Sequence, residues 1–244
     1  MNHLLTVCIF IAIGFVLCVK GFSGDKEKRK YLLLFIAIFA FDQLMASLPL
    51  IFPTIDLLGG KYNWTGKSLT TVFSVIIIFF LRNKFRNLDF TFSLKQVPGS
   101  LRLVLIVISV VTVIHIVSCY FTIPVMTATW EDHLFQLTLP GISEEVMFRG
   151  VLLGLLNGVF ISRRNILGAC LGWGTVVTAG LFGLMHGIWI DGNLHFHMNV
   201  FIIILPLFEG FLFAWIRERT KSLVIPIIYH NFLNEITNLV PLIK

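Results

Sequence analysis

Three pieces of the chain carry residues that could do chemistry together. Glu144 and Glu145 are adjacent, and Arg149 follows four residues after the second. His186 ends the segment Phe182-Gly183-Leu184-Met185-His186, and His230 is followed four residues later by Asn234. On a helix, neighbours point about 100° apart, whereas residues i and i+4 share a face. Glu145 is therefore the expected partner of Arg149, whose guanidinium fork suits a carboxylate. Glu144 is left without a local cation and faces a cavity. The set offers one free carboxylate, two imidazoles and a carboxamide. Such groups can position a water, remove its proton and stabilise an oxyanion. Glu144, His186 and His230 also make a zinc ligand set with an open fourth position. On the residues alone both chemistries stay open.

All of these groups sit inside apolar stretches. Of 244 residues, 57% are hydrophobic and 13% charged, and the mean hydropathy is +0.89. A soluble domain carries about 25% charged residues. This composition excludes a water-soluble globule, and equally a disordered chain, which needs low hydrophobicity and high charge. Spanning helices need about 20 apolar residues. Eight runs qualify: 3–20, 31–52, 68–81 (short, entering earlier), 102–124, 135–157, 166–190, 198–216 and 222–243. The expected fold is all-α, a polytopic membrane protein of about eight spans in a single domain, 1–244. Runs one to four fill 1–134, and the chemistry-bearing runs five to eight fill 135–243. Charged groups at that depth cost at least about 2.5–3.5 kcal/mol on insertion scales, so they face the bundle interior.

The loops give an orientation. Fifteen basic residues fall between runs one and two, three and four, five and six, and seven and eight. Lys61, Lys67 and Lys244 fall on the other side, and Arg149 completes the nineteen. By the positive-inside rule both termini are expected on the outer side. The first run has basic residues after it rather than before it, and is read as a retained helix rather than a leader. The net charge of +6 comes from these short clusters, so no nucleic-acid partner is expected. The basic and aromatic stretch 82–101 is read as lying on the inner membrane surface or as a solvated loop.

Other features carry less. Cys8, Cys18, Cys119 and Cys170 form no CxxC pair, so they are taken as apolar packing residues. The segment Gly60–Ser68 resembles a phosphate loop, but it has five residues between its glycines where four are needed. Asn63-Trp64-Thr65 is a glycosylation triplet of the kind that occurs by chance. Asp42 and His115 are candidates for a substrate entry groove, and Glu209 for a partner of a catalytic histidine. Glu235 is placed near the outer interface. Asp191 with His195 and His197 is a weak surface metal candidate.

The three motifs Glu144-Glu145-x-x-x-Arg149, Phe182-x-x-x-His186 and His230-x-x-x-Asn234 resemble those of the CPBP family, the CAAX proteases and bacteriocin-processing enzymes also called Abi. The approach Thr220–Pro226 resembles the family's too, and the resemblance covers about 135–243. It implies an intramembrane endopeptidase. Eukaryotic members remove the last three residues of prenylated CAAX proteins, and bacterial ones are linked to bacteriocins, peptide pheromones or self-immunity. It further implies Glu144 as general base acting with His186, an oxyanion site at His230 and Asn234, and Glu145 and Arg149 holding the helix and the substrate's carboxylate. The family is described both as metal-dependent and as metal-free. Asn234 makes better sense as an oxyanion donor than as a ligand, which favours no cofactor over Zn2+. The expected partners are a membrane-associated peptide or protein substrate and the bilayer. The expected location is a bacterial plasma membrane, with the endoplasmic reticulum second. A non-catalytic peptide-binding or bacteriocin self-immunity protein on the same fold is the rival function. A proton-coupled transporter would show internal repeats, and none is found.

Overall fold

The computed structural model describes residues 1–23, 25–85, 88–90 and 93–243. The chain is mostly helical, because in lipid a helix satisfies its own backbone groups. Helices α1 (His3–Cys18), α2 (Lys26–Ile51), α3 (Trp64–Lys84) and α4 (Leu101–Thr122) come first. A short α5 (Trp130–Gln136) precedes α6 (Leu139–Glu145), a π-helical stretch (Val146–Leu152) and α7 (Leu153–Val159), and these last three form one continuous helix. A hairpin of β1 (Arg163–Ile166) and β2 (Ala169–Gly172) leads into α8 (Trp173–Gly187). A second hairpin, β3 (Ile188–Ile190) and β4 (Phe196–Met198), precedes α9 (Val200–Thr220) and α10 (Val224–Leu239).

Among the described residues, five helices are long and apolar enough to cross a bilayer: His3–Ser23, Lys26–Ile51, Trp64–Lys84, Leu101–Thr122 and Val200–Thr220. The chain is an integral membrane protein. The other three expected spans take different forms. Run 135–157 is divided by a turn at Leu137–Thr138 and by the π-helical stretch. Run 222–243 becomes the 16 residues of α10 and a 3-10 turn. The expected single helix over 166–190 is corrected: its first residues belong to the β1–β2 hairpin, its last to β3, and α8 between them has 15 residues. A two-residue turn explains the first change. Leu167 and Gly168 take φ of 50° and 81° between the paired Ile166 and Ala169, the geometry of a tight hairpin turn. The Arg219 guanidinium holds the Leu167 carbonyl. Of the basic residues counted above, Arg86 and Lys244 lie outside the described residues, as do parts of 82–101. The described part of 85–100 forms no helix.

Apolar side chains gather in two clusters. One joins α1, α2, α3, the π-helical stretch, α7 and α8 around Phe35, Phe39, Phe148, Leu152 and Phe182. The other joins α4, α9 and α10 around Val104, Phe213, Trp215, Tyr229 and Leu233. Among the described residues, two of the places where opposite charges are buried together stand out. One is the seam between these clusters, at Glu145 and Arg149. The other is the α9–α10 end of the bundle, at Arg217 and Glu218.

Candidate active site

The helix carrying the two glutamates begins against α10. Asn231 accepts a hydrogen bond from the Gly141 amide (2.7 Å) and donates to the Thr138 carbonyl (3.0 Å). Gly141 permits this approach, since a Cβ there would lie 2.7 Å from the Ile227 carbonyl oxygen. Glu144 and Glu145 are thereby fixed opposite His230, one helix position before Asn231.

Glu145 and Arg149 are both fully buried and pair as their spacing predicts, Nη1 to Oε1 at 3.1 Å. Arg149 also donates to the Gly210 carbonyl of α9 (3.2 Å), and its guanidinium lies 4.4 Å from the Phe182 ring and 5.4 Å from that of Phe213. Its side chain is sealed in the seam with no exposed surface. The same Glu145 Oε1 is 2.9 Å from His230 Nδ1. A carboxylate can only accept, so Nδ1 carries a proton. His230 Nε2 then points toward Glu144, 3.9 Å from Oε2. The ring is clamped between Phe213, stacked at 5.0 Å, and Phe182, edge-on at 5.9 Å.

Glu144 lines a cavity of about 220 Å³ shared with Asp42, Gln43, Lys67, Thr70, Ser143 and His186. His186 is the penultimate residue of α8, and its Nδ1 meets the Phe182 carbonyl at 2.7 Å. A carbonyl accepts, so Nδ1 is protonated and the Nε2 lone pair is free. Among the described residues Glu144 Oε2 has no hydrogen-bond partner, an expensive condition for a buried carboxylate oxygen. Asn234 is half-buried one turn beyond His230. It makes no hydrogen bond with a described residue and is not among the residues lining the cavity.

Glu144 is not without a cation. Its Oε1 accepts from the ammonium of Lys67, one of the basic residues expected on the outer side. Lys67 is the fourth residue of α3. Asn63 caps that helix through Gly66 N (2.9 Å), and its amide donates to the Ala46 carbonyl of α2 (2.7 Å). Gly66 lets the two helices meet, because a Cβ there would lie 2.5 Å from that same carbonyl. A clamp of loop residues fixes the approach: Asp132 accepts from Lys61 Nζ and Tyr62 Oη, both at 2.6 Å, and Glu131 from Trp64 Nε1 at 3.0 Å. The hydrogen bonds from Lys61, Tyr62 and Thr129 hold the Asp132 carboxyl well below the usual carboxylate range. Lys67 had one readable sign: a cation in a helix's first turn opposes the helix dipole.

The weaker candidates divide. Asp42 is buried on the cavity wall, with Oδ2 bonded by Gln43 at 3.0 Å. His115 is elsewhere, bonded to Thr237 at 3.1 Å and 3.9 Å from Glu209. Glu235 pairs with His133 at 2.6 Å. Asp191 contacts His195 and His197. Among the described residues no group of three or more His, Cys, Asp or Glu side chains is placed to hold a metal ion. Glu144, His186 and His230 are therefore not gathered as a ligand set, and an ammonium already sits on the carboxylate they would share. Zinc does not fit the residues as placed.

Residues 126–236 match the type II CAAX prenyl endopeptidase Rce1-like family. The matched segment runs from before α5 into α10 and contains all three motifs. It agrees with the family that the motifs resemble, and it supports a CAAX-type intramembrane endopeptidase in general. A CAAX protease acts on membrane-associated prenylated proteins in the bilayer. The match leaves out α1 to α4, and with them Asp42, Gln43, Lys67 and Thr70. No curated protein and no solved structure matches the chain.

Proposed function

We propose that this chain hydrolyses a peptide bond in a membrane-associated peptide or protein, with Glu144 as the general base. The substrate is a CAAX-type protein or a bacteriocin or pheromone precursor, and the membrane is a bacterial plasma membrane. The observation that carries this is the placement of Glu144 on the cavity wall, with Oε2 unsatisfied and two imidazoles beside it. A water held between Glu144 and His186 Nε2 loses its proton to the carboxylate as its oxygen attacks the scissile carbonyl. The carbonyl electrons move to oxygen, and His230, backed by Glu145 at Nδ1, presents Nε2–H to that oxyanion as an imidazolium, with Asn234 turning in from the next turn. Collapse of the intermediate breaks the C–N bond, and the proton on Glu144 passes to the leaving amine. No metal is needed at any step. Glu145 and Arg149 position His230 and the helix and do not touch the substrate.

The rival is a peptide-binding or self-immunity protein on the same frame. One observation favours it: the Lys67 ammonium occupies the proposed base. The deciding experiment compares cells with the wild-type chain, no chain, or Glu144→Gln at matched expression, reading secreted and membrane-bound peptides by mass spectrometry. Catalysis requires one precursor to accumulate equally in the null and the mutant. If Glu144→Gln preserves the biological function, the rival takes its place.

A further inference from the structure

The cavity has two walls of different origin. One comes from the segment that matches the endopeptidase family and brings Ser143, Glu144 and His186. The other comes from α2 and α3, outside that match, and brings Asp42, Gln43, Lys67 and Thr70. Among the described residues that line the cavity, Lys67 is the one with a permanent positive charge. Arg149, the nearby cation within the motifs, is sealed by three phenylalanine rings and has no exposed surface. The Lys67–Glu144 pair is different: the two side chains retain 25% and 18% of their surface, so the pair faces the cavity and can exchange partners.

A substrate cut three residues from its end brings a carboxylate to within about 10 Å of the scissile bond, the reach of three extended residues. That charge enters a site already holding Glu144, and it is tolerated only beside a cation. We propose that Lys67 is the specificity residue that captures the free C-terminal carboxylate of the peptide, and that it does so by releasing Glu144. This rests on the peptidase function proposed above. Glu144 then serves as a stand-in for the substrate's carboxylate while the site is empty of peptide. Recognition and release of the base become one event, and a peptide lacking the terminal carboxylate leaves the base neutralised. The first turn of α3 carries an unfavourable cation because the site requires it there.

The test uses two fluorescent peptides, each with an S-farnesylcysteine followed by three residues, one ending in the acid and one in the amide. Wild-type protein in detergent should favour the acid by about 10- to 100-fold in kcat/KM, the range of a charge-assisted hydrogen bond. Lys67→Met should abolish that preference, with the loss concentrated on the acid peptide, and Lys67→Arg should keep part of it. A wild-type protein indifferent to acid and amide overturns the proposal without any variant being needed. So does Lys67→Met with an intact preference. Fluorescence anisotropy of the same peptides on the wild-type protein separates the two layers. Tighter binding of the acid without cleavage of either peptide removes the CAAX-type peptidase function and leaves Lys67 as the anchor. Equal binding together with equal cleavage removes the anchor and leaves the peptidase.

Discussion

Two buried ion-pair clusters in this molecule use the same residue types to different ends. At the α9–α10 end, Arg217 and Glu218 are fully buried and 2.5 Å apart. Glu218 Oε1 also accepts from Asn157 (2.9 Å), Oε2 accepts from Lys221 (2.6 Å), and Asp89 holds Arg217 from the other side (3.1 Å). Both oxygens of that carboxylate are satisfied. In the seam, Glu145 and Arg149 are just as buried, yet among the described residues Glu144 Oε2 and Glu145 Oε2 have no hydrogen-bond partner, and a cavity opens beside Glu144. Burial of a charge pair therefore does not mark a working site. An unsatisfied carboxylate oxygen next to space for a ligand does, because that is where bond-making can still gain energy.

The largest expected contrast is in activity. Glu144→Gln should lower peptide hydrolysis by about 10²–10⁴-fold at unchanged abundance, the usual worth of a general base. Glu218→Gln should leave the specific activity of folded protein near wild type. If purified Glu218→Gln were as inactive as Glu144→Gln, the two clusters would not differ in role. Next come the stabilities. Arg149→Ala and Glu218→Ala each strand a buried opposite charge, at about 3–5 kcal/mol, and should both reduce folded protein in a thermal-shift assay. An unchanged melting temperature in either would show that its cluster is open to water. His230→Ala should reduce kcat by about 10²–10³-fold with a smaller change in KM, as for loss of an oxyanion donor. A pure rise in KM would move His230 from chemistry to binding. A smaller effect is expected at Asn63→Ala, which removes the cap that fixes Lys67, costs about 1 kcal/mol of stability and raises KM for acid-ended peptides. The smallest concerns pH. Asp132 has a depressed carboxyl, so its clamp on Lys61 and Tyr62 is fully formed above the ordinary carboxylate value of about 4 and is lost only as pH falls below it. Thermal stability of the clamp should be flat between pH 7 and 5, and a drop in that window would contradict the hydrogen bonds described.

The same comparison shows what was legible in the sequence. Glu145 and Arg149 could be paired from spacing alone, because i and i+4 meet on one helix face whatever surrounds them. Arg217 and Lys221 were read as loop charges because their clustering between apolar runs fits membrane orientation just as well. Their partner Asp89 lies 128 residues from Arg217, a separation that no local pattern records. The contact of Lys67 with Glu144 is hidden for the same reason, since the two lie 77 residues apart. Hydropathy could not separate the β1–β2 hairpin from a helix, because Ile166–Gly172 is apolar at either period and the deciding feature is the backbone at Leu167 and Gly168. Asn231 stood beside His230 in the sequence, but its role depends on Gly141, on another helix.

The π-helical stretch from Val146 to Leu152 follows directly after the two glutamates. Such a stretch holds one residue more than an α-helix of the same rise requires, so deleting a single residue would restore the α-helix. A chain shortened by one residue there would keep a continuous and more regular helix. It would also turn everything beyond the deletion by about 100° relative to Glu144 and Glu145. Asn157, beyond the stretch, would turn away from Glu218. The segment should therefore tolerate many substitutions that conserve size and almost no change of length.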